Sequence, residues 1–351
     1  MQKKTVILHI GWEKTGTSSL QTFLASNADW MEANDLHYPA LGSVPQHRWL
    51  YRRMARNHPR QFEHAIATVQ NIIRDRHEST IILSHESLHL IPPHLFSELC
   101  AGADVRVIAY IRRYDSAVLS YAGTMVRWGM LNAPRSANLP LKLRGFLGRF
   151  DYYWTLLGFA RVVGFDSVTV RIYDPDRMSG GSIIPDFMTY LGHKDLSAAR
   201  YPDRRANISL SAAQLGAAIA VGRELDGERP FAGKRMVDLC HALLALGKDD
   251  VGPSIEEATP LALRHLILNF YRSSTERLSE TFFQGADVFK PLDETSTVPR
   301  PGAEEVVDWL KRLRSGRQLD KSFTEPLDRA LARIQFDPKN TNKTGPLRPV
   351  A

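Results

Sequence analysis

The stretch "TVILHIGWEKTGTSSLQTFL", residues 5–24, changes from a strand pattern to a helix pattern around two glycines. The apolar run at 5–10 predicts a buried strand, and the segment 17–27 predicts a helix whose apolar residues share one face. Gly11 and Gly16 allow the tight turn that joins them. The N–H groups at the start of such a helix bind anions, so the stretch predicts a phosphate-binding turn.

The lysine of this turn stands in an unusual place. In P-loop nucleoside triphosphatases the lysine directly follows the second glycine, and a serine or threonine follows the lysine. Here Thr17 follows Gly16, and Lys14 precedes it. We therefore expect Lys14 on the crest of the turn, where its amine can touch an oxygen that bridges two anionic groups. The structural alternative is a surface turn with an exposed lysine.

Short β-rich runs alternate with helical patterns through the first 200 residues. Further strands are predicted at 80–84, 105–111 and 167–172, and a helix near 182–192. This alternation predicts an α/β fold with a parallel sheet covered by helices. Beyond residue 210 the pattern is helical, with helices predicted at 211–224, 257–284, 303–314 and 324–335.

Three polar segments directly follow predicted strands: "HIGWEKTGT" at 9–17, "SHES" at 84–87 and "IRRYDS" at 111–116. Ligands of open parallel sheets bind beyond the carboxyl ends of the strands. The three segments are therefore expected to meet at one crevice.

The composition is that of a globular protein, with 43% hydrophobic and 24% charged residues and a net charge of +7. The excess favours anionic partners, such as nucleotides, acidic sugars, nucleic acid or lipid head groups. Cys100 and Cys240 lie far apart, which predicts two reduced, partly buried thiols and neither a disulfide framework nor a metal site. The chain shows no signal-peptide pattern and no run of about 20 apolar residues, so we expect a cytoplasmic protein without a membrane span.

The stretch "HIGWEKTGTSSLQTFL", residues 9–24, resembles the 5′-phosphosulfate loop of sulfotransferases that use PAPS (3′-phosphoadenosine 5′-phosphosulfate). The resemblance implies a P-loop-NTPase-like three-layer fold with a central parallel sheet. It also implies that Lys14 contacts the oxygen between phosphate and sulfuryl group. The 5′-phosphate would be cradled by Thr15, Gly16, Thr17, Ser18 and Ser19.

The segment "YIRRYDSAVLSYAGTMVRWG", residues 110–129, is similar to the 3′-phosphate motif of the same family, an arginine at a strand end with a serine eight residues later. Arg112 and Ser120 fit this spacing, and Arg113 is the alternative if the register differs by one. A 3′-phosphate needs a fixed cationic fork with a hydroxyl close by.

Two later segments resemble bacterial members of the family. "VTVRIYDPDRMSGGSIIPDFMTYLG", residues 168–192, would complete the sheet, with a structural role for most of its residues. "RRANISLS", residues 204–211, resembles a loop of bacterial carbohydrate sulfotransferases. In that loop Arg205, Asn207 and Ser209 would close over the nucleotide.

The resemblance covers roughly residues 5–211. It predicts a PAPS-binding α/β core at 1–210, a helical part packed on it at 211–336, and a flexible tail at 337–351.

The acceptor hydroxyl needs a base. The first candidate is Glu86 in "SHES", because carbohydrate sulfotransferases often place a glutamate there, and the second is His47 in "QHRWLY". The structural alternative for Glu86 is a carboxylate that caps a helix or forms an ion pair. The alternative for His47 is a structural or solvated histidine. His85 is expected to point away from Glu86 if strand alternation persists, and His9 is expected in the core.

The predicted function is PAPS-dependent transfer of a sulfuryl group to a hydroxyl of a carbohydrate or glycolipid, without a metal and without a nucleic-acid partner. Contact with a membrane surface stays open. The alternatives are a non-catalytic nucleotide-binding protein of the same fold and a P-loop kinase that uses ATP.

The acceptor side offers weaker signals. The aromatic residues that would stack on a sugar or belong to the core are Trp49, Tyr51 and Trp128. A basic cluster would meet an acidic acceptor or form a solvated helix face; it comprises Arg48, Arg52, Arg53 and Arg56.

Overall fold

The computed structural model describes residues 3–42, 45–55, 59–130, 147–202, 209–225, 232–247, 252–295, 301–316 and 318–336. The chain forms two compact units. The first comprises residues 1–117, 145–204 and 269–291, and the second comprises 118–144, 205–268 and 292–351. The predicted domain boundaries at 210 and 336 stay a prediction, and the tail at 337–351 lies outside the described residues.

The first unit is built on a five-stranded parallel sheet with strand order β2-β3-β1-β4-β5. The strands are β1 (Thr5–His9), β2 (Leu36–His37), β3 (Thr80–Ser84), β4 (Asp104–Ile111) and β5 (Val168–Ile172). In the register, His9 lies opposite Ser84 on one side and opposite Ile108 on the other. The loops that leave the carboxyl ends of these strands therefore begin side by side.

Helices connect the strands and form most of the described part of the second unit. Their bounds are α1 (Thr17–Ser26), α2 (Ala28–Ala33), α3 (Arg48–Ala55), α4 (Pro59–Asp75), α5 (His94–Leu99), α6 (Tyr114–Arg127), α7 (Tyr152–Val163), α8 (Ile183–Tyr190), α9 (Ala212–Glu224), α10 (Ala232–Leu246), α11 (Leu261–Phe270), α12 (Arg272–Phe282), α13 (Ala303–Ser315) and α14 (Thr324–Phe336).

Both faces of the sheet are buried, as a parallel sheet requires. Ile7 of β1 belongs to one apolar cluster with Phe23 of α1 and Phe187 of α8. Its neighbours Val6 and Leu8, which point to the opposite face, are also fully buried. The fold is therefore the predicted α/β class, a P-loop-like arrangement with a central parallel sheet between helical layers.

The four longer strands lie close to their predicted bounds, and α1, α8, α9, α13 and α14 do too. The helix predicted at 257–284 is instead two helices, α11 and α12. The break falls at Tyr271, which is buried and lies flat against Tyr114 with ring centroids 4.2 Å apart. Its hydroxyl donates to the carbonyl oxygen of Leu147 at 2.7 Å. These tertiary contacts override the continuous helical pattern.

In the second unit, α9, α10, α13 and α14 enclose their own apolar core. The helix α9 begins with a capping box, in which Ser211 and Gln214 each bind the other's backbone N–H. The prediction that the cysteines are free thiols is confirmed, and both side chains are buried. Across the described ranges, no helix combines the length and apolar character that a bilayer crossing demands.

A buried carboxylate joins three elements of the first unit. Asp186 of α8 is fully buried and is bound by the Arg171 guanidinium of β5. It also accepts from the Tyr110 hydroxyl at 2.7 Å and from the backbone N–H of Ser179 at 2.7 Å. Burial alone would raise the pKa of Asp186, but these hydrogen bonds and the guanidinium hold it below its ordinary value.

We expect Asp186→Ala to lower the free energy of unfolding by about 3 kcal/mol, because the arginine and two donors lose their acceptor. Urea unfolding at pH 7 measures this change. Asp166→Ala is the control, since Asp166 is exposed, and should change it by less than about 0.5 kcal/mol. A loss below about 1 kcal/mol for Asp186→Ala would contradict the role of this carboxylate.

Candidate active site

The turn between β1 and α1 has the conformation of an anion-binding loop. Lys14 (φ 68°) and Gly16 (φ 74°) both take the left-handed conformation. Left-handed residues in a turn direct successive N–H groups to one side and form anion-binding concavities. Gly16 is the N-cap of α1, and the helix has neither a side-chain cap nor an acidic residue in its first turn. The positive end of the helix is therefore open to an anion.

Both glycines of the turn are closely packed, with little room for a side chain. A Cβ on Gly11 would lie 2.8 Å from Thr17 Cγ2 and 2.9 Å from His9 Nε2. A Cβ on Gly16 would lie 3.0 Å from Tyr173 Cε2 and 3.2 Å from its hydroxyl oxygen. Tyr173, directly after β5, thus packs against the first turn of α1. Sequence reasoning gave this tyrosine no role.

The hydroxyl groups expected in the cradle fall into two sets. Thr15 is fully buried, and its Oγ1 donates to the Trp12 carbonyl oxygen at 2.7 Å, so this hydroxyl braces the turn. Thr17 is also buried. Ser18 and Ser19, in the first turn of α1, are partly exposed.

One residue holds the crest of the turn at two points. The Arg149 guanidinium pairs with Glu13, with Nε donating to Oε1 at 2.9 Å. The Arg149 carbonyl oxygen accepts from Trp12 Nε1 at 2.9 Å. Trp12 is itself buried and stacked on His89, with ring centroids 4.8 Å apart. The neighbours of Lys14 on its N-terminal side are therefore fixed, although Arg149 lies far away in the sequence.

Glu86 leaves the sheet at the edge where the phosphate turn begins. It follows β3 by two residues, and β3 ends opposite the end of β1. Its side chain is 23% exposed, and its Oε2 is buried without a hydrogen-bond partner in the described residues. A carboxylate with an unsatisfied oxygen beside the phosphate turn is a candidate to accept the proton of a substrate hydroxyl.

His85 does not point away from Glu86, and that expectation is wrong. The strand ends at Ser84, and the chain then turns, so the alternation does not continue. His85 Nδ1 accepts from the Ser87 N–H at 3.0 Å, which assigns the proton to Nε2, and Nε2 lies 3.9 Å from Glu86 Oε1. Burial is the main reason that the pKa of His85 lies below its ordinary value.

His47 is held by the backbone through both ring nitrogens. Nδ1 accepts from the Ser84 N–H at 3.0 Å, and Nε2 therefore donates to the Pro39 carbonyl oxygen at 2.8 Å. The side chain is fully buried, and burial lowers its pKa to about 3. This geometry favours a structural role, so Glu86 is the stronger candidate base.

A buried polar cluster centred on Ser84 underlies the site. Ser84 Oγ contacts His9 Nδ1 at 2.7 Å and accepts from Gln21 Nε2 at 3.1 Å. The Ser84 carbonyl oxygen accepts from the His47 N–H at 3.1 Å. His9 lies in the core, as expected, and burial lowers its pKa to about 3.

The arginines after β4 differ in their surroundings. Arg113 forms a double hydrogen bond with the fully buried Asp115, at 2.7 and 3.2 Å, and donates to the Pro291 carbonyl oxygen at 3.2 Å. The Arg113 guanidinium is therefore engaged within the protein, and Arg112 stays the first prediction for the 3′-phosphate. Arg112 belongs to the first unit and the partly buried Ser120 to the second, and their pairing stays a prediction.

Of the loop predicted to close over the nucleotide, Arg205 and Asn207 lie outside the described residues, and Ser209 is exposed. At the opposite edge of the sheet, before β3, a group of possible metal ligands consists of Glu32, His77 and Glu78. Glu78 is fully buried and bound by the guanidinium of Arg76, which already neutralises the carboxylate.

The pKa of His47 predicts an acid-sensitive fold. Between the unfolded pKa of about 6.5 and the folded pKa of about 3, the unfolded chain binds a proton at His47 that the folded chain excludes. Stability should therefore be intact above pH 6.5 and fall as the pH is lowered, by up to about 1.4 kcal/mol per pH unit from this residue.

Urea unfolding between pH 7.5 and 4.5 measures this slope. We expect His47→Gln to reduce it, whereas His94→Gln, a change at an exposed histidine, should leave it as in the wild type. An unchanged slope in His47→Gln would show that His47 is not excluded from protonation.

No protein-family model matches the chain, and no curated protein matches it. Among solved structures, the chain matches the crystal structure of a sulfotransferase from Alicyclobacillus acidocaldarius, with 16% identity and a TM-score of 0.38. The match covers 66% of this chain and 96% of that one. At this identity and TM-score it establishes neither a family nor an activity for the chain.

Proposed function

We propose that the protein is a sulfotransferase that moves a sulfuryl group from PAPS to a hydroxyl of a carbohydrate or glycolipid. The observation that supports this best is Lys14 on the crest of the turn, left-handed and two residues before Gly16, the N-cap of α1. In a P-loop nucleoside triphosphatase the lysine instead comes after the corresponding glycine. An amine before the helix suits an oxygen that bridges a phosphate held by the helix and a second group beyond it.

The donor would be held from both ends. We assign the 5′-phosphate to the open N-terminus of α1, with the Ser18 and Ser19 hydroxyls beside it. The 3′-phosphate is assigned to Arg112 with Ser120, because a guanidinium fork binds phosphate with defined geometry. The residues proposed to close over the nucleotide are Arg205, Asn207 and Ser209.

The proposed reaction is a direct displacement at sulfur. The acceptor oxygen forms a bond to sulfur while the bond from sulfur to the 5′-phosphate oxygen breaks. Glu86 takes the proton of the acceptor hydroxyl, and Lys14 neutralises the charge that develops on the leaving oxygen. The products are a sulfate ester and 3′,5′-ADP. The clamp of Arg149 on Glu13 and Trp12 would keep the crest in place during the step.

Nucleotide preference tests the donor assignment. We expect 3′,5′-ADP to stabilise the protein against thermal unfolding more than ATP does. Arg112→Ala should weaken 3′,5′-ADP binding about tenfold or more and leave 5′-AMP binding within about twofold, since 5′-AMP has no 3′-phosphate.

Arg106→Ala is the control for Arg112→Ala, because Arg106 is an exposed arginine nearer the other end of β4. Tighter binding of ATP would favour the kinase alternative. Equal losses for both adenosine nucleotides in Arg112→Ala would place the 3′-phosphate elsewhere.

The role of Lys14 is tested by turnover. Lys14→Ala should lower the rate of transfer of labelled sulfate from PAPS about 100-fold, because the leaving oxygen loses its cation. Binding of 3′,5′-ADP should change much less, since this product lacks the bridging oxygen. Lys194→Ala, at an exposed position, is the control. Near-normal turnover in Lys14→Ala would refute the role, and no turnover in the wild type would leave the non-catalytic alternative.

A further inference from the structure

The helix α3 carries an unusual charge for an element beside the candidate base. Its sequence, RWLYRRMA, contains three arginines and no acidic residue. Leu50 and Met54 are buried, which fixes how the helix is turned toward the core. Arg48, Tyr51 and Arg52 are spaced i, i+3 and i+4 and therefore share a face of the helix. We call these three residues the arginine face.

The arginine face adjoins Glu86. The ring of Tyr51 lies parallel to that of His85, with centroids 5.5 Å apart and an angle of 8° between the planes. His85 Nε2 in turn lies 3.9 Å from Glu86 Oε1. The charge of Arg48 is close enough to His85 to lower its pKa, although burial has the larger effect.

The start of α3 is fixed relative to Glu86. Arg48 directly follows His47, whose N–H donates to the Ser84 carbonyl oxygen at 3.1 Å and whose Nδ1 accepts from the Ser84 N–H at 3.0 Å. Ser84 ends β3, two residues before Glu86. Two hydrogen bonds between His47 and the backbone of Ser84 thus attach the first turn of α3 to the end of β3, from which the chain continues to Glu86.

The charges of the arginine face are not neutralised by the described part of the protein. Arg48 and Arg52 are exposed, and no described carboxylate forms an ion pair with either. The third arginine of the helix, Arg53, lies instead over the ring of Trp49, 4.0 Å from its centroid. Elsewhere in the first unit, Arg113 and Arg171 each bind a buried carboxylate of the protein itself.

We propose that the acceptor is a sugar that carries a carboxylate, as a uronic acid does, and that Arg48 and Arg52 bind this carboxylate while Glu86 receives the proton of a neighbouring hydroxyl. The inference rests on the proposed function. Guanidinium groups match the planar carboxylate in charge and geometry. They also offset the repulsion between the Glu86 carboxylate and an acidic acceptor, and they attract anions to the site.

The test compares each acidic acceptor with its own uncharged form. Oligosaccharides of glucuronate, galacturonate and mannuronate are offered with PAPS, each as the free acid and as the carboxamide, which removes the charge without adding a hydroxyl. We expect at least one free acid to be sulfated with a kcat/KM about tenfold or more above that of its amide.

The double variant Arg48→Gln/Arg52→Gln should lose this preference, with the kcat/KM for the acid falling about tenfold and that for the amide staying within about twofold. Its control is Arg161→Gln/Arg223→Gln, which removes the same charge from two exposed arginines elsewhere and should keep the preference. Thermal stabilisation by 3′,5′-ADP should be equal in all of these proteins.

Equal kcat/KM values for acid and amide overturn the inference, and so does failure to sulfate any of the acids. The inference is also overturned if the double variant lowers kcat/KM for acid and amide equally. In each of these cases 3′,5′-ADP still binds, and the proposed donor site stands. A wild-type protein that prefers ATP to 3′,5′-ADP overturns the proposed function itself, so the two failures are distinct.

Discussion

The candidate site depends on one buried serine. Ser84 joins β1 through the ring of His9, α1 through the amide of Gln21, and the start of α3 through both backbone atoms and His47. These elements carry the phosphate turn and the arginine face, and Ser84 itself ends the strand that leads to the candidate base. Their partners are shielded from water, so each hydrogen bond that is lost would leave a polar group unsatisfied. The relative positions of the candidate reacting groups thus depend on buried hydrogen bonds rather than on surface contacts.

Much of the first unit could be predicted because its signals are local. The apolar runs of β1, β3 and β4 and the glycines of the turn specify their structures from neighbouring residues alone. The order of segments predicted that the turn and Glu86 would leave the sheet at the same edge, and the register of His9 with Ser84 confirms this. The break at Tyr271 could not be predicted, because it arises from contacts with residues more than 100 positions away.

The same distinction applies within the site. Lys14 and Gly16 could be identified from their positions in a short local motif. The pairing of Arg149 with Glu13 spans 136 residues and has no sequence pattern. The roles of the two histidines likewise depended on tertiary structure. His47 is bound by the backbone at both nitrogens, and His85 faces Glu86 because β3 ends one residue before it.

The packing of Tyr173 on Gly16 has a consequence for the recognition of distant relatives. The ring occupies the space that a side chain at position 16 would need, and the left-handed backbone there also disfavours one. A glycine before the first helix and an aromatic residue just after the fifth strand should therefore be inherited together. The two residues are 157 positions apart in the sequence. Together they form a marker for distant homologues whose other residues have diverged.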